Sequence, residues 1–593
     1  MRSLSLCAGA RVISGFCLLA SIAGCGTLKS YNASFNDALA PKPASADPGV
    51  GFAGAKPRAT FDVDGSRGNE KVLFFLALSG GGSRAAYLAG TTMLRLQTYF
   101  SDVDLLQEVD AISSVSGGSL PAAYYAVTRD ASLRPVGRLT PLAAAHAGRV
   151  SDKLHVGDDG TLRCRGALAT AETERLRDLV GTAASAVRQM CEQPLIGGLR
   201  TWDASTVDKL MTQDYLGSWL WSWLYPDNIL KYWLTAFDRA DIMAQTLEDS
   251  LYDRPVLGLE YTFSDLNPER PFLIVNATNA TEQVTKDEDG LLPDVFSFGS
   301  VFTFTNEDFD TRLNSDISKY SVARAVMASS AFPLVFPNVT LRDYRAEALE
   351  ACKQRSRPLA CDEQRYLHIF DGGNSDNLGL KSIKRALLEL DVRGELDNYE
   401  RVVVLLVDAF TKPAGARRTD PDPRSLLSLF LDMNFMEAFD ALLQANRARQ
   451  IADFRSGTLR WSDGDCLAET QNLPPKLCGE LQRSDRYPKG YLDLEDKLFF
   501  YHFGFDDVQD EKIRAAVYRI PTSYKISEDH AKLVRDAVDS VMPVDPRLRA
   551  NPCLDEIRHI VRRANGDGTV TPAKVARSVC NRFDRVPVEE SRN

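Results

Sequence analysis

Histidine is scarce in this chain: 593 residues carry six. Apart from His368, none sits beside a motif that could carry chemistry, so the usual pairing of a nucleophile with an imidazole base has no evident source. The eleven cysteines include no C-x-x-C spacing, which together with the few histidines discounts a zinc site. The lysine signature of phosphate-binding loops is absent, and no glycine segment fits the G-x-G-x-x-G spacing of dinucleotide sites. Basic excess is absent too. With 80 acids against 70 bases the net charge is −10, which offers no general attraction to nucleic acid or to anionic lipid. The uncharged stretch Val12 to Gly24 falls short of the roughly 20 apolar residues that cross a bilayer.

What is present is ordinary for a folded body: 44% apolar and 25% charged residues, consistent with one large domain carrying insertions. Arg2 and Arg11 precede the short apolar stretch, so residues 1–24 read as a removable secretory signal. Ile22-Ala23-Gly24-Cys25 resembles a bacterial lipobox, which implies lipidation of Cys25 as the mature N-terminus. Gly26 lacks the acidic character of an inner-membrane retention signal, pointing to an outer-membrane lipoprotein facing the periplasm or exported to the surface. Several acyl chains, at about 0.8 kcal/mol per buried CH₂, would hold such a protein at a membrane. Removing that leader, with its two arginines and no acid, takes the charge from −10 to −12. Residues 25–65, with Pro41, Pro43 and Pro48, read as a flexible tether.

Eight cysteines remain beyond Cys25, as sequential neighbours: Cys164 and Cys191, Cys352 and Cys361, Cys466 and Cys478, Cys553 and Cys580. Four local disulfides would suit an oxidising compartment.

Three segments carry candidate chemistry. Glu108 to Ile112 reads as a strand running into Ser113-Ser114-Val115-Ser116-Gly117-Gly118-Ser119, after which Leu120, Ala123, Tyr124 and Val127 recur at helical spacing. A strand turning sharply into a helix lifts a serine hydroxyl off the end of a sheet, and the positions two before and two after it must be small. Around Ser116 those positions are Ser114 and Gly118. Around Ser119 they are Gly117 and Pro121, and Pro121 fits poorly. Upstream, the apolar run Lys71 to Leu78 predicts a strand buried on both faces, ending in Ser79-Gly80-Gly81-Gly82-Ser83-Arg84, with Ala85, Leu88, Ala89 and Leu96 marking a helix face beyond. Three glycines let N–H groups converge on one point, as a phosphate cradle or an oxyanion hole; a serine corner on the next strand favours the second. Downstream, Tyr366 to Phe370 predicts a strand ending in Asp371-Gly372-Gly373. An aspartate there is either a turn residue or a base for a serine. His368, three residues earlier on that strand, should face the other way.

Taken in order, Gly80-Gly81-Gly82-Ser83-Arg84, Ser116-Gly117-Gly118 and Asp371-Gly372-Gly373 resemble the patatin-like phospholipase family. Two more stretches fit it: Ala328-Ser329-Ser330-Ala331-Phe332-Pro333, and the late segment Ile520-Pro521-Thr522-Ser523-Tyr524-Lys525-Ile526. The resemblance implies a three-layer α/β/α fold and cleavage of lipid acyl esters without a cofactor or metal. It makes Ser116 the nucleophile and Asp371 its base, and puts Gly80, Gly81, Gly82 and Arg84 on the oxyanion side. The sequence departs from the family at Ser114, where glycine is usual, which predicts a more strained elbow. An acyltransferase or thioesterase on the same pair, or a lipid-binding envelope scaffold without activity, remains an alternative.

The expected organisation is a catalytic domain over 66–541, a mostly helical insertion at about 130–270, and a small helical appendage over 542–593. Five of six tryptophans fall in the insertion: Trp202, Trp219, Trp221, Trp223 and Trp233. They are either the core of a helical subdomain or, around residues 215–233, a patch that docks on a phospholipid membrane. Asp408, ending another buried strand from Arg401, reads as a loop cap. The glycosylation-like triplets at Asn276, Asn279 and Asn338 are incidental in a bacterial chain.

Overall fold

A computed structural model describes residues 71–128, 202–234, 237–252, 261–267, 270–287, 298–332, 336–355, 365–411, 447–460, 491–494, 496–543 and 551–564. It also describes short pieces at 33–34, 134–138, 154–156, 161–164, 170–180 and 290–294, and Cys580. The signal segment, Cys25 and three of the expected cysteine pairs lie wholly or partly outside the described residues.

The centre is an eight-stranded mixed sheet. Its strands are β1 (Val72–Leu78), β2 (Ala111–Val115), β3 (Phe272–Asn279), β4 (Val301–Phe304), β5 (Val339–Arg342), β6 (Tyr366–Asp371), β7 (Arg401–Asp408) and β8 (Leu498–Gly504). Across the sheet the order is β5-β6-β3-β2-β1-β7-β8, with β4 also pairing with β3. Strands β3, β2, β1, β7 and β8 run parallel to one another; β6 lies antiparallel to β3, and β5 antiparallel to β6.

Alternation along the central strands builds the layers. On β1, Phe74, Leu76 and Leu78 join one apolar core while Leu73, Phe75 and Ala77 join the other; β7 divides in the same way between Val403, Leu405 and Val407, and Val402, Val404 and Leu406. A strand buried on both faces needs no polar alternation, so its sequence is a continuous apolar run. One face is covered by α1 (Gly82–Thr98) and α2 (Ser119–Val127). The other is covered by a helix over Leu380–Val392, which buries Ile383, Leu387 and Leu390. This is the three-layer α/β/α arrangement.

Two segments outside the expected catalytic domain make contact with it. The helix Pro552–Ala564 places Leu554, Ile557 and Val561 in the same core as β1, and the disulfide Cys553–Cys580 holds its start. Its apolar stripe needs a partner, and the sheet-side core supplies it. Cys352 is also disulfide-bonded. Within the expected tether, Ala33 and Ser34 pair with Asp316 and Ser315, so that stretch is fastened at one point.

The insertion combines a three-stranded antiparallel sheet (134–138, 161–164, 154–156) with helices over Ala204–Met211, Tyr215–Trp223, Pro226–Leu234 and Arg239–Leu251. Its tryptophans divide by position. Trp202 is core, edge-on to Tyr125 at 4.9 Å. Trp219 is partly buried against Phe336, whereas Trp221 (73%) and Trp233 (74%) stand in solvent with Leu220, Leu224, Tyr225 and Leu230. Among the described residues no helix is long and apolar enough to cross a membrane.

Candidate active site

Strand β3 is the frame of the site. Val115, the last residue of β2, lies opposite Asn276, and Asp371, the last residue of β6, lies opposite Ala277. One parallel and one antiparallel neighbour therefore deliver their ends to the same place on β3. There the Ser116 hydroxyl donates to Asp371 Oδ2 at 3.0 Å.

Ser116 takes φ +49°, one of two non-glycine residues among those described with positive φ. That left-handed turn costs on the order of 1–2 kcal/mol and is held by its surroundings. The chief holder is Ser329, at the end of the helix Val322–Ser329: its Oγ accepts the Ser116 amide at 2.8 Å and donates to Asn276 O at 2.6 Å. A methyl carbon added at Gly117 would fall 2.0 Å from Gly82 O, so glycine there lets the elbow and the glycine loop touch. Ser114 raises no such conflict. It is buried in β2 with its Oγ donating to Ile274 O at 3.2 Å, so the elbow's strain sits at Ser116 instead.

Asp371 is buried, and burial raises its carboxyl to a pKa of about 6 even though the Gly373 amide (2.7 Å to Oδ1) and the Ser116 hydroxyl favour the charged form. That places it near the working range of a general base. His368 points away: it is exposed, and its ring approaches Thr340.

The glycine loop follows β1. Gly80 gives its N–H to Asn377 O at 2.9 Å, and Ser83 gives its N–H to Ser523 O at 2.7 Å. Between them, the amides of Gly81 (φ +141°) and Gly82 (φ +63°) have no acceptor among the described residues. Gly80 thus spaces the loop rather than offering a free donor: its own amide is occupied, and a side chain there would meet Asn377 Oδ1.

Arg84 is turned elsewhere. Its Nε donates to Ala409 O (3.0 Å), Nη1 to Ile520 O (2.5 Å) and Nη2 to Thr522 Oγ1 (3.2 Å). These contacts make the buried guanidinium a brace between the helix after the loop, the end of β7 and the late segment, rather than an oxyanion donor. Asp408 at that strand end accepts from the Phe410 amide, as a loop cap does, and also from Arg447 and His502. Burial opposes its charge, but Arg447 and His502 hold its carboxyl well below the usual range.

Ser116 opens on a cavity with about 550 Å³ of empty space, part of it open to solvent. Leu120, Met211, Met243, Leu247, Met327 and Phe336 are among the residues that line it. Flexible thioethers and leucines suit an unbranched alkyl chain. Among the described residues, no cluster of side chains could hold a metal ion.

Ser329 was missed from sequence because a small residue in an alanine-rich helix carries no local sign of reaching another strand's corner. Its place in the Ala328-Ser329-Ser330 block was the one available signal.

The sequence model of the patatin-like phospholipase family matches residues 76–383, just over half of the chain. No curated protein matches. Human GIVD cytosolic phospholipase A2 is similar in structure at 12% identity and a TM-score of 0.31, over 84% of this chain and 63% of that one. The chain thus spans less than two thirds of the human protein's length. VipD from Legionella pneumophila is similar at 14% identity and a TM-score of 0.24, over 84% of this chain and 71% of that one.

Proposed function

Because the chain belongs to the patatin-like phospholipase family, we propose that it is a serine hydrolase of phospholipid or related lipid acyl esters, working through Ser116 and Asp371. One observation carries the reading: a 3.0 Å hydroxyl–carboxylate contact at a strained corner, facing an apolar cavity.

Asp371 takes the Ser116 proton as the oxygen attacks the ester carbonyl carbon. The negative oxygen that forms is met by the Gly81 and Gly82 amides, whose lack of other acceptors among the described residues supports that role. Collapse breaks the ester C–O bond, and the proton on Asp371 passes to the departing alcohol. Water then gives a proton to Asp371 and attacks the acyl-serine. The fatty acid leaves, and Ser116 regains its proton. Every group needed is on the chain.

At the membrane, the reading combines a lipid-modified Cys25 after loss of residues 1–24 with contact through the exposed face of Leu220, Trp221, Leu224 and Trp233. Aromatic side chains of this kind favour the headgroup level. An oxidising envelope compartment suits the Cys553–Cys580 disulfide.

A serine-directed fluorophosphonate is the direct test. It should label the wild-type chain and fail to label Ser116→Ala; equal labelling of both would refute the assignment. Separately, Cys25→Ala should move the protein from the membrane to the soluble fraction.

A further inference from the structure

The triplet Asn276-Ala277-Thr278 on β3, incidental as a glycosylation signal, is buried throughout and lies between the strands that deliver Ser116 and Asp371. Residues two apart on a strand share a face. Ala277 belongs to the core that holds Met211 and Met327 of the cavity wall, whereas Ile274 belongs to the core under the helix Leu380–Val392. Asn276 and Thr278 share the face of Ile274, so they act on the site from the side away from the cavity.

From there the Asn276 side-chain amide donates to Ser114 O and to Ser113 Oγ, both at 2.9 Å, on the strand that leads into Ser116. Thr278 serves the other half of the pair. Its hydroxyl lies 2.7 Å from Asp371 O and accepts the Ser375 amide at 3.1 Å. The Ser375 hydroxyl is also within 2.9 Å, but a carbonyl can only accept, so the single Thr278 proton goes to Asp371 O. The peptide joining Asp371 to Gly372 is thus held through its oxygen. It is held through its nitrogen as well, since Gly372 gives its N–H to Ser329 O at 3.1 Å. A side chain at Gly372 would meet Asn276 O at 2.3 Å, so the backbone lies tight against β3 at this point. One residue on, the Gly373 amide donates to Asp371 Oδ1 at 2.7 Å, which leaves Oδ2 facing the Ser116 hydroxyl at 3.0 Å.

We propose that Thr278 is a positioning residue of the Ser116–Asp371 pair: by holding the Asp371 carbonyl it fixes the turn whose Gly373 amide aims the carboxylate at Ser116. This rests on the acyl hydrolase reading of that pair. Thr278 acts through Asp371 and lies behind the sheet, so its loss should slow the chemical step and leave substrate binding alone.

The test is turnover of p-nitrophenyl butyrate by the full chain and two variants. Thr278→Val keeps the shape of the side chain and removes its hydroxyl; kcat should fall about tenfold while KM stays within about twofold of wild type. Thr278→Ser returns the hydroxyl without the methyl and should recover most of the loss. A valine variant with wild-type kcat overturns the proposal. So does a serine variant as slow as the valine one, which would mark a packing role for the methyl, or a rise in KM with kcat unchanged. Should Thr278→Val fail to fold, Thr278→Ala takes its place in the comparison. A wild-type chain that does not cleave the ester would instead overturn the hydrolase reading, whereas an active wild type with an unaffected valine variant overturns only the role of Thr278.

Discussion

The amide of Ser116 donates to the hydroxyl oxygen of Ser329 across 2.8 Å, linking a strained corner to a helix 213 residues away in sequence. Ser329 in turn donates to Asn276 O on β3, so the corner, the helix and the central strand are held by one hydroxyl. Ser329→Ala leaves the part-buried Ser116 amide without its acceptor, which costs about 1–3 kcal/mol. The expected result is a lower denaturation midpoint and a fall in kcat of about tenfold or more, read by urea titration and by ester turnover.

Strain at Ser116 predicts a trade between stability and activity. Ser116→Gly and Ser116→Ala should both be inactive, but glycine accepts φ +49° and alanine does not. The glycine variant should be the more stable of the two by about 1 kcal/mol. Thermal unfolding of the pair measures this, and equal midpoints would mean the corner is unstrained.

The pKa of about 6 at Asp371, raised from 3.8, acts on activity and stability in opposite senses. Turnover needs the carboxylate, so kcat/KM should fall as pH drops through about 6. Stability behaves the other way, because the folded state holds the proton more tightly than the unfolded chain. The cost of the buried charge is absent below about pH 4 and fully present above about 6. Asp371→Asn should therefore be inactive and gain stability over wild type as pH rises from 4 to 7, measured by denaturant titration at each pH.

Arg84→Lys separates a brace from an oxyanion donor. An ammonium cannot reach the Ala409 and Ile520 carbonyls and the Thr522 hydroxyl together. Melting temperature and kcat should both fall. A donor acting only on the oxyanion would lower kcat and leave melting unchanged.

The exposed tryptophans predict lipid affinity. Trp221→Ser and Trp233→Ser should each weaken binding to phospholipid vesicles by on the order of tenfold. Hydrolysis of a soluble short-chain ester should stay within about twofold of wild type. Vesicle co-sedimentation alongside that assay reads both.

Several features were legible locally. The apolar runs of β1 and β7 announce strands covered on both faces, since such strands need no polar side. The serine corner, the glycine loop and the Asp-Gly-Gly turn are short because each reports a tight backbone path, and tight paths restrict residue type. The tryptophans of the insertion were not legible in this way. Nothing in Tyr215 to Tyr225 distinguishes Trp219, packed on Phe336, from Trp221, two residues on and in solvent; only the helix's orientation does.

Local pattern determined the buried strands and the three segments with chemical potential, because each depends on a few neighbouring residues, and the fold class came as what the resemblance of those segments to a known family implies. Tertiary structure decided how they meet. The antiparallel placement of β6 beside β3 brings Asp371 to Ser116, and contacts more than 300 residues apart turn Arg84 away from the reacting centre. Those outcomes follow from strand register and from which carbonyls lie within reach of a guanidinium, and neither is written in any local stretch of the chain.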